Sequence, residues 1–348
     1  MKGLRLLLFP FALIYGTVVG LRNLAYKTKI FKSSKFNLPI INVGNLSMGG
    51  TGKTPHIEYL IRLLKDQHNL VTLSRGFGRK ERGFQIADKT STADSIGDEP
   101  LQYYKKFGNT ISVAVEANRV LGVMDICTQK PETNLILLDD AFQHRAIHAG
   151  LNILLTTYDE PFFQDYILPV GNLRESRRGK NRADIIIVTK CKNFGEIKKE
   201  DIISKIKPLT NQSVFFSMVN YGQIYRLAGH EYDEKIAGKN IVVVSGIAKA
   251  KPLLSYLRNQ ANVLHHFEFN DHHTFTDKDI AEIHNKIDKF ASDNPIIITT
   301  EKDAMRLMNH TSFDKIEKYP WFYQSIKIEL DDEERFNKLI IEYVKENS

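Results

Sequence analysis

Gly44-Asn45-Leu46-Ser47-Met48-Gly49-Gly50-Thr51-Gly52-Lys53-Thr54-Pro55 follows an apolar run at residues 38–43 and precedes Ile57, Leu60, Ile61 and Leu64, which recur at helical spacing. A strand, a glycine-rich turn and a helix in that order are the setting of a phosphate-binding P-loop. Glycines let main-chain N–H groups turn toward phosphate oxygens, the Lys53 ammonium bridges the β- and γ-phosphates, and the Thr54 hydroxyl ligates Mg²⁺. Pro55 suits a first helical turn, where its missing N–H is harmless. The nucleotide positions are therefore Ser47, Gly49, Gly50, Thr51, Gly52, Lys53 and Thr54, with ATP and Mg²⁺ as the implied cofactors. Ser47 departs from the bare G-x-x-x-x-G-K-[ST] pattern, which has glycine there.

Outward from this segment, apolar runs at residues 70–73, 111–115, 135–138, 151–155, 185–188, 241–244 and 296–299 predict further strands. Runs without polar alternation fit parallel strands covered on both faces, so the fold class is α/β. The run at 135–138 ends in Asp139-Asp140, which places carboxylates at a strand C-terminus beside the loop, where they serve as Mg²⁺ ligands with Thr54. A second glycine-rich stretch, Gly76-Phe77-Gly78-Arg79-Lys80-Glu81, has a glutamate where a dinucleotide fingerprint needs its third glycine, which excludes NAD binding. Residues 213–219, a turn at Asn220-Tyr221-Gly222 and residues 223–227 read as a hairpin joining two α/β domains. Phe336, Leu339, Ile340 and Tyr343 give a last amphipathic helix. The expected organisation is an N-terminal segment over 1–35, a P-loop domain over 36–210, a linker over 211–230 and a smaller domain over 231–348.

Charge separates the first segment from the rest. The chain carries a net charge of +7, and residues 1–35 hold seven Lys and Arg and no acid, so the remainder is formally neutral. Residues 6–21 are uncharged and apolar. As a helix they would reach about 24 Å, short of the roughly 30 Å hydrocarbon core. A membrane-associated helix with lysines near anionic headgroups fits this composition. A signal peptide is the rival, but no A-x-A-like cleavage site follows the apolar run. The basic loops lack interleaved aromatics, so nucleic acid is not an expected partner. Two cysteines make no disulfide framework, in keeping with a reducing compartment.

The chemistry of the acceptor is less sharply written. Lys192 stands where a guanine-reading GTPase has its carboxylate, and Met48 where a ParA-like ATPase has a lysine before Gly-Gly. If the γ-phosphate goes to an alcohol, a base is required, and Asp98 in Gly97-Asp98-Glu99-Pro100 is a candidate beside the plain reading of a surface turn acid. His265, His266, His272 and His273 form a cluster open to structural, catalytic or metal-binding readings.

Seven segments in order, namely 43–55, Ser74-Arg75-Gly76-Phe77-Gly78-Arg79, Gly97-Asp98-Glu99-Pro100, Leu138-Asp139-Asp140-Ala141-Phe142-Gln143-His144-Arg145, Leu173-Arg174-Glu175, Asp271-His272-His273 and Thr299-Thr300-Glu301-Lys302-Asp303-Ala304, resemble the tetraacyldisaccharide 4′-kinase family of lipid A biosynthesis. Ser47 belongs to that family's own loop. The resemblance implies two α/β/α sandwich domains joined by a two-stranded linker, a requirement for ATP and Mg²⁺, and attachment to the cytoplasmic face of the bacterial inner membrane. It implies phosphorylation of the 4′-hydroxyl of a lipid-bearing disaccharide 1-phosphate, with Asp98 as base in concert with His272. It also places Glu99, Arg119, Gln143, Arg174 and Glu175 near nucleotide, metal or acceptor. A soluble small-metabolite kinase and a membrane-attached nucleotide switch are the alternatives: the first has no use for residues 1–35, the second none for a base.

Overall fold

The apolar runs of the N-terminal half become a parallel sheet. A computed structural model describes residues 5–227, 236–271 and 273–348. Unit 1 comprises Met1–Thr90, Tyr103–Val219 and Ile328–Ser348; unit 2 comprises Ser91–Gln102 and Asn220–Lys327.

In unit 1, β1 (Ile40–Asn45), β2 (Leu70–Ser74), β3 (Gln85–Ile86), β4 (Ser112–Val115), β5 (Leu135–Asp139), β6 (Leu151–Thr157), β7 (Ile185–Cys191) and the first half of β8 (Ser213–Arg226) lie in the order β8-β7-β6-β1-β5-β2-β4-β3. All pair in parallel except β3, which runs antiparallel to β4. Every residue of β1, β2 and β5 is buried, as a strand covered on both faces requires. One face packs Ile57, Leu60, Ile61 and Leu64 of α2 (Lys53–Leu64); the other packs Val123 and Ile126 of α4 (Arg119–Gln129). Between them in sequence, α3 (Asp98–Phe107) begins in unit 2 and has its residues from Tyr103 in unit 1.

The N-terminal helix, α1 (Phe9–Lys27), follows a short 3₁₀ turn at Leu6–Leu8 and buries only Ala12. Phe9, Phe11, Leu13, Ile14, Val18, Leu21 and Leu24 are exposed along it. Some of its polar side chains are tied down: the Tyr15 hydroxyl donates to the Arg174 carbonyl at 2.9 Å and Asn23 Nδ2 to Glu175 Oε2 at 3.0 Å. Among the described residues no helix is long and apolar enough to cross a membrane.

In unit 2, β9 (Asn240–Ser245), β10 (Asn262–Glu268), β11 (Ile296–Thr300) and β12 (Trp321–Leu330) take the order β10-β9-β11-β12, also in parallel. Leu253 and Leu257 of α5 (Lys251–Gln260) pack on Ile241, Val243, Ile298 and Phe322. This unit also contains α6 (Asp277–Lys289) and α7 (Glu301–Met308).

Two expectations are corrected. Residues 213–226 form one strand rather than a hairpin. Asn220-Tyr221-Gly222 stays extended because Gly222 serves close approach: a Cβ there would lie 2.6 Å from Ser325 Oγ, while Gln324 Nε2 donates to the Gly222 carbonyl at 2.7 Å and Ser325 Oγ to the Gln223 carbonyl at 2.6 Å. The final helix, α8 (Glu333–Asn347), belongs to unit 1 instead of the smaller domain. Phe336, Ile340 and Val344 insert into the core of β1, β5 and β6, and the Tyr343 hydroxyl bonds both the N–H and the carbonyl of Ile40 at 3.1 Å.

Candidate active site

The register of the central strands builds the site. Val43 of β1 lies opposite Asp139 of β5, so the turn after β5 and the glycine loop after β1 emerge at the same sheet edge. Gly44 permits this: a Cβ there would sit 2.6 Å from the Phe142 Cβ. Asp140 takes a left-handed conformation, φ 50°, and donates its N–H to the Val43 carbonyl at 3.0 Å, which turns its carboxylate back toward the loop.

The loop is pinned along its length. Ser47 bridges Leu173 in antiparallel fashion, with Met48 N–H donating to the Asn172 carbonyl and Arg174 N–H to the Leu46 carbonyl, each at 2.7 Å. Asn45 Nδ2 donates to Thr51 Oγ1 at 2.9 Å. Gly49 and Gly52 have φ of 109° and 89°, left-handed values that glycine adopts without strain. Lys190 Nζ donates to the Gly50 carbonyl at 2.6 Å, Thr189 Oγ1 to the Thr51 carbonyl at 2.8 Å and His56 Nδ1 to the Gly52 carbonyl at 2.7 Å. Lys53 and Thr54 then open α2.

Charged groups surround the lysine. Lys53 Nζ lies 3.6 Å from Asp140 Oδ2, and Arg174 Nη1 donates to both Asp140 oxygens at 3.0 Å and to Gln143 Oε1 at 3.3 Å. Gln143 Nε2 in turn donates to the Asn45 carbonyl at 2.8 Å and to Glu175 Oε1 at 3.1 Å. Glu175, buried, is held by Arg182 at 2.7 Å, whose guanidinium stacks on the Phe142 ring. The Tyr103 hydroxyl donates to Asp139 Oδ2 at 3.0 Å. Arg119 is buried and spends its guanidinium on the carbonyls of Glu116, Ala117 and Asp139. Burial pushes its pKa down to about 10, partly offset by Asp139 and Asp140. Unit 1 thus gathers the loop with Arg119, Asp139, Asp140, Gln143, Arg174 and Glu175.

A second polar cluster lies within unit 2. Asp98 and Glu99 occupy the first turn of α3. Arg306 of α7 donates to Asp98 Oδ2 through Nε at 3.0 Å and Nη2 at 2.6 Å, and through Nη1 to Asp303 Oδ1 at 2.9 Å. Asp303 is fully buried and accepts from Gly246 N–H at 2.8 Å and Thr300 Oγ1 at 2.7 Å; burial raises its pKa against those bonds. Lys302 lies 3.4 Å from Glu99 and 3.9 Å from Asp271. His272 lies outside the described residues. Its neighbour His273 bonds Asp279 at 3.0 Å and stacks on Phe269, while His266 bonds Ser245 at 2.8 Å.

Several site residues escaped sequence reading. His56 immediately precedes the apolar positions 57, 60, 61 and 64, whose spacing reads as core, and nothing in the sequence around Tyr103 marks it. Lys190 and Thr189 lie at the polar end of an apolar run, and Arg306 follows the segment 299–304 by two positions. No one-dimensional signal marks a donor to a loop carbonyl.

Comparison with known proteins points to one family. The family model for Tetraacyldisaccharide-1-P 4′-kinase matches residues 4–345. Proteins named tetraacyldisaccharide 4′-kinase are similar over nearly full length: that of Flavobacterium johnsoniae is 45% identical, covering 100% of this chain and 99% of the relative, and that of Bacteroides thetaiotaomicron is 41% identical, covering 98% and 93%. A crystal structure of LpxK from Aquifex aeolicus in complex with ATP superposes with a TM-score of 0.78 at 28% identity, covering 98% of this chain and 99% of that one.

Proposed function

This chain belongs to the tetraacyldisaccharide-1-P 4′-kinase family, and we propose from that premise how its residues carry the reaction. The protein is an ATP-dependent kinase of lipid A biosynthesis that phosphorylates the 4′-hydroxyl of tetraacyldisaccharide 1-phosphate. A family match over residues 4–345 does not favour the soluble-metabolite kinase or the nucleotide switch.

The observation that carries the reading is the Lys53–Asp140–Arg174 constellation beside a glycine loop whose carbonyls are tied back. In this reading the loop N–H groups and Lys53 hold the phosphates of ATP, and Arg174 adds a second cation. Asp98 accepts the proton of the 4′-hydroxyl as the acceptor oxygen bonds to the γ-phosphorus and the bond from that phosphorus to the ADP oxygen breaks. His272 tunes Asp98, a role that rests on the family resemblance. Glu99, Gln143 and Glu175 position the reacting groups, and Arg119 braces the turn at 139–140.

Mg²⁺ fits the donor set. Asp140 is a half-exposed carboxylate whose present partners are all cations or donors, Asp139 lies beside it, and the Thr54 hydroxyl stands in the first turn of α2. Mg²⁺ needs only one or two carboxylates when phosphates and water complete its shell, and it would neutralise charge on the transferring group. The exposed apolar face of α1, in a segment that carries the whole net charge, suits attachment to an anionic leaflet, which for this reaction is the cytoplasmic face of the inner membrane.

Incubating the full chain with γ-labelled ATP, Mg²⁺ and tetraacyldisaccharide 1-phosphate in mixed micelles should move label to the 4′ position. ATP binding without lipid labelling would overturn the reading.

A further inference from the structure

Three consecutive carbonyls of the phosphate loop, those of Gly50, Thr51 and Gly52, are each captured by a side-chain donor from outside the loop: Lys190, Thr189 and His56. In a planar trans peptide the carbonyl and the N–H of the next residue point in opposite directions. Fixing these oxygens therefore fixes the N–H vectors of Thr51, Gly52 and Lys53 the other way, and these are the groups a phosphate-binding loop presents to its ligand.

His56 is the most informative of the three. It is buried, 4% exposed, with each ring nitrogen within hydrogen-bond reach of one partner. A carbonyl only accepts, so Nδ1 carries the proton and donates to Gly52, while Nε2 accepts from the fully buried Ser217 hydroxyl of β8 at 3.0 Å. The helical bond to the same carbonyl, from the His56 main-chain N–H, is long at 3.3 Å, and the imidazole bond is the shorter. The ring also lies under the glycine, since a Cβ on Gly52 would stand 3.6 Å from Nδ1. The imidazole thus takes over the carbonyl at the loop-to-helix joint, one peptide before Lys53.

We infer that His56, with Thr189 and Lys190, acts as a positioning residue that holds the loop N–H groups outward before nucleotide arrives. Because the groups are fixed in advance, binding does not have to order them. The inference rests on the reading of the loop as an ATP site.

The test uses the full chain and MgATP, with binding followed by calorimetry and turnover on tetraacyldisaccharide 1-phosphate measured in parallel. Thr189→Val is nearly isosteric and removes only the donor, whereas Thr189→Ser keeps it. His56→Asn places an amide N–H near the position of Nδ1, and His56→Gln reaches instead toward Ser217. Thr189→Val and His56→Gln should weaken MgATP about 5- to 10-fold, as expected for one lost hydrogen bond. Thr189→Ser and His56→Asn should recover most of that affinity, and KM for the lipid should stay unchanged in all four. A structural role alone would lower the melting temperature and leave the affinity of the folded protein intact. Wild-type affinity in Thr189→Val, or equal affinity in the two His56 variants, overturns the inference. Wild-type protein that binds MgATP but does not label lipid would instead sink the kinase reading.

Discussion

Arg306 donates through Nε and Nη2 to one oxygen of Asp98, Oδ2, at 3.0 and 2.6 Å. The guanidinium thereby sets the plane of the carboxylate. Its own position is fixed from behind by Asp303, which is anchored to Gly246 and Thr300. If Asp98 is the base, Arg306→Ala should lower kcat about 10- to 100-fold through misplacement, with KM for ATP nearly unchanged. Asp303→Asn, which keeps the shape and weakens the grip on Arg306, should fall between wild type and Arg306→Ala. An Arg306→Ala protein with normal kcat would remove Asp98 from the role of base.

Asp140 separates two cations, Lys53 and Arg174, that would otherwise face each other with no intervening charge. Lys53→Ala should depress turnover roughly 100-fold or more, since a cation on the transferring phosphate is lost. Asp140→Asn should act differently. If Asp140 is a Mg²⁺ ligand as proposed, the change should raise the Mg²⁺ concentration needed for half-maximal turnover, while metal-free ATP binds at least as well because both cations lose their counter-charge. An unchanged Mg²⁺ requirement in Asp140→Asn would exclude it as a ligand.

Membrane attachment is best tested on the surface of α1. Deleting residues 1–35 would also strip the partners of Arg174 and Glu175, so loss of activity would be ambiguous. Leu13 and Val18 are 58% and 61% exposed, and replacing both with glutamate leaves the fold's contacts in place. Leu13→Glu/Val18→Glu should reduce binding to anionic vesicles about tenfold or more, and added salt should weaken wild-type binding. Wild-type binding by the variant would place the membrane contact elsewhere.

What the sequence discloses follows from range. The P-loop, the Asp139-Asp140 strand end and the core helix 57–64 are local patterns, and each appears where its residues predict. Residues 220–222 mislead because Gly222 answers a need set by Ser325, about a hundred positions away, which a turn-forming tripeptide imitates. The place of α8 in unit 1 is illegible for a related reason: a stripe of apolar residues announces a helix but not which core receives it. β10 and β12 give no clear strand signal because their residues mix polar and apolar side chains, β10 on a half-buried edge and β12 with Gln324 and Ser325 buried among apolar neighbours. The turn around residues 97–100 singles out Asp98 as a candidate, whereas its partner Arg306 becomes visible only once α3 and α7 are in place.

Acid should weaken unit 2 through His284. The ring is buried, its Nε2 accepts from Trp321 Nε1 at 3.0 Å, and it stacks on Tyr319; desolvation pushes its pKa from 6.5 to about 4, against a smaller opposing pull from Asp288. Between those values the unfolded chain binds the proton and the folded chain does not, so unfolding becomes easier as pH falls through that window and is indifferent above it. From pH 7 to 5 the loss from this residue is about 2 kcal/mol. His56 in unit 1 shows the same direction and adds its own loss there. Trp321 is the chain's single tryptophan, so its fluorescence during urea unfolding follows unit 2. His284→Gln retains an acceptor for the indole and cannot protonate, so its urea midpoint should drop less than that of wild type over this range. Equal drops in the two proteins would mean that His284 keeps its proton in the fold, which its acceptor role toward Trp321 does not allow.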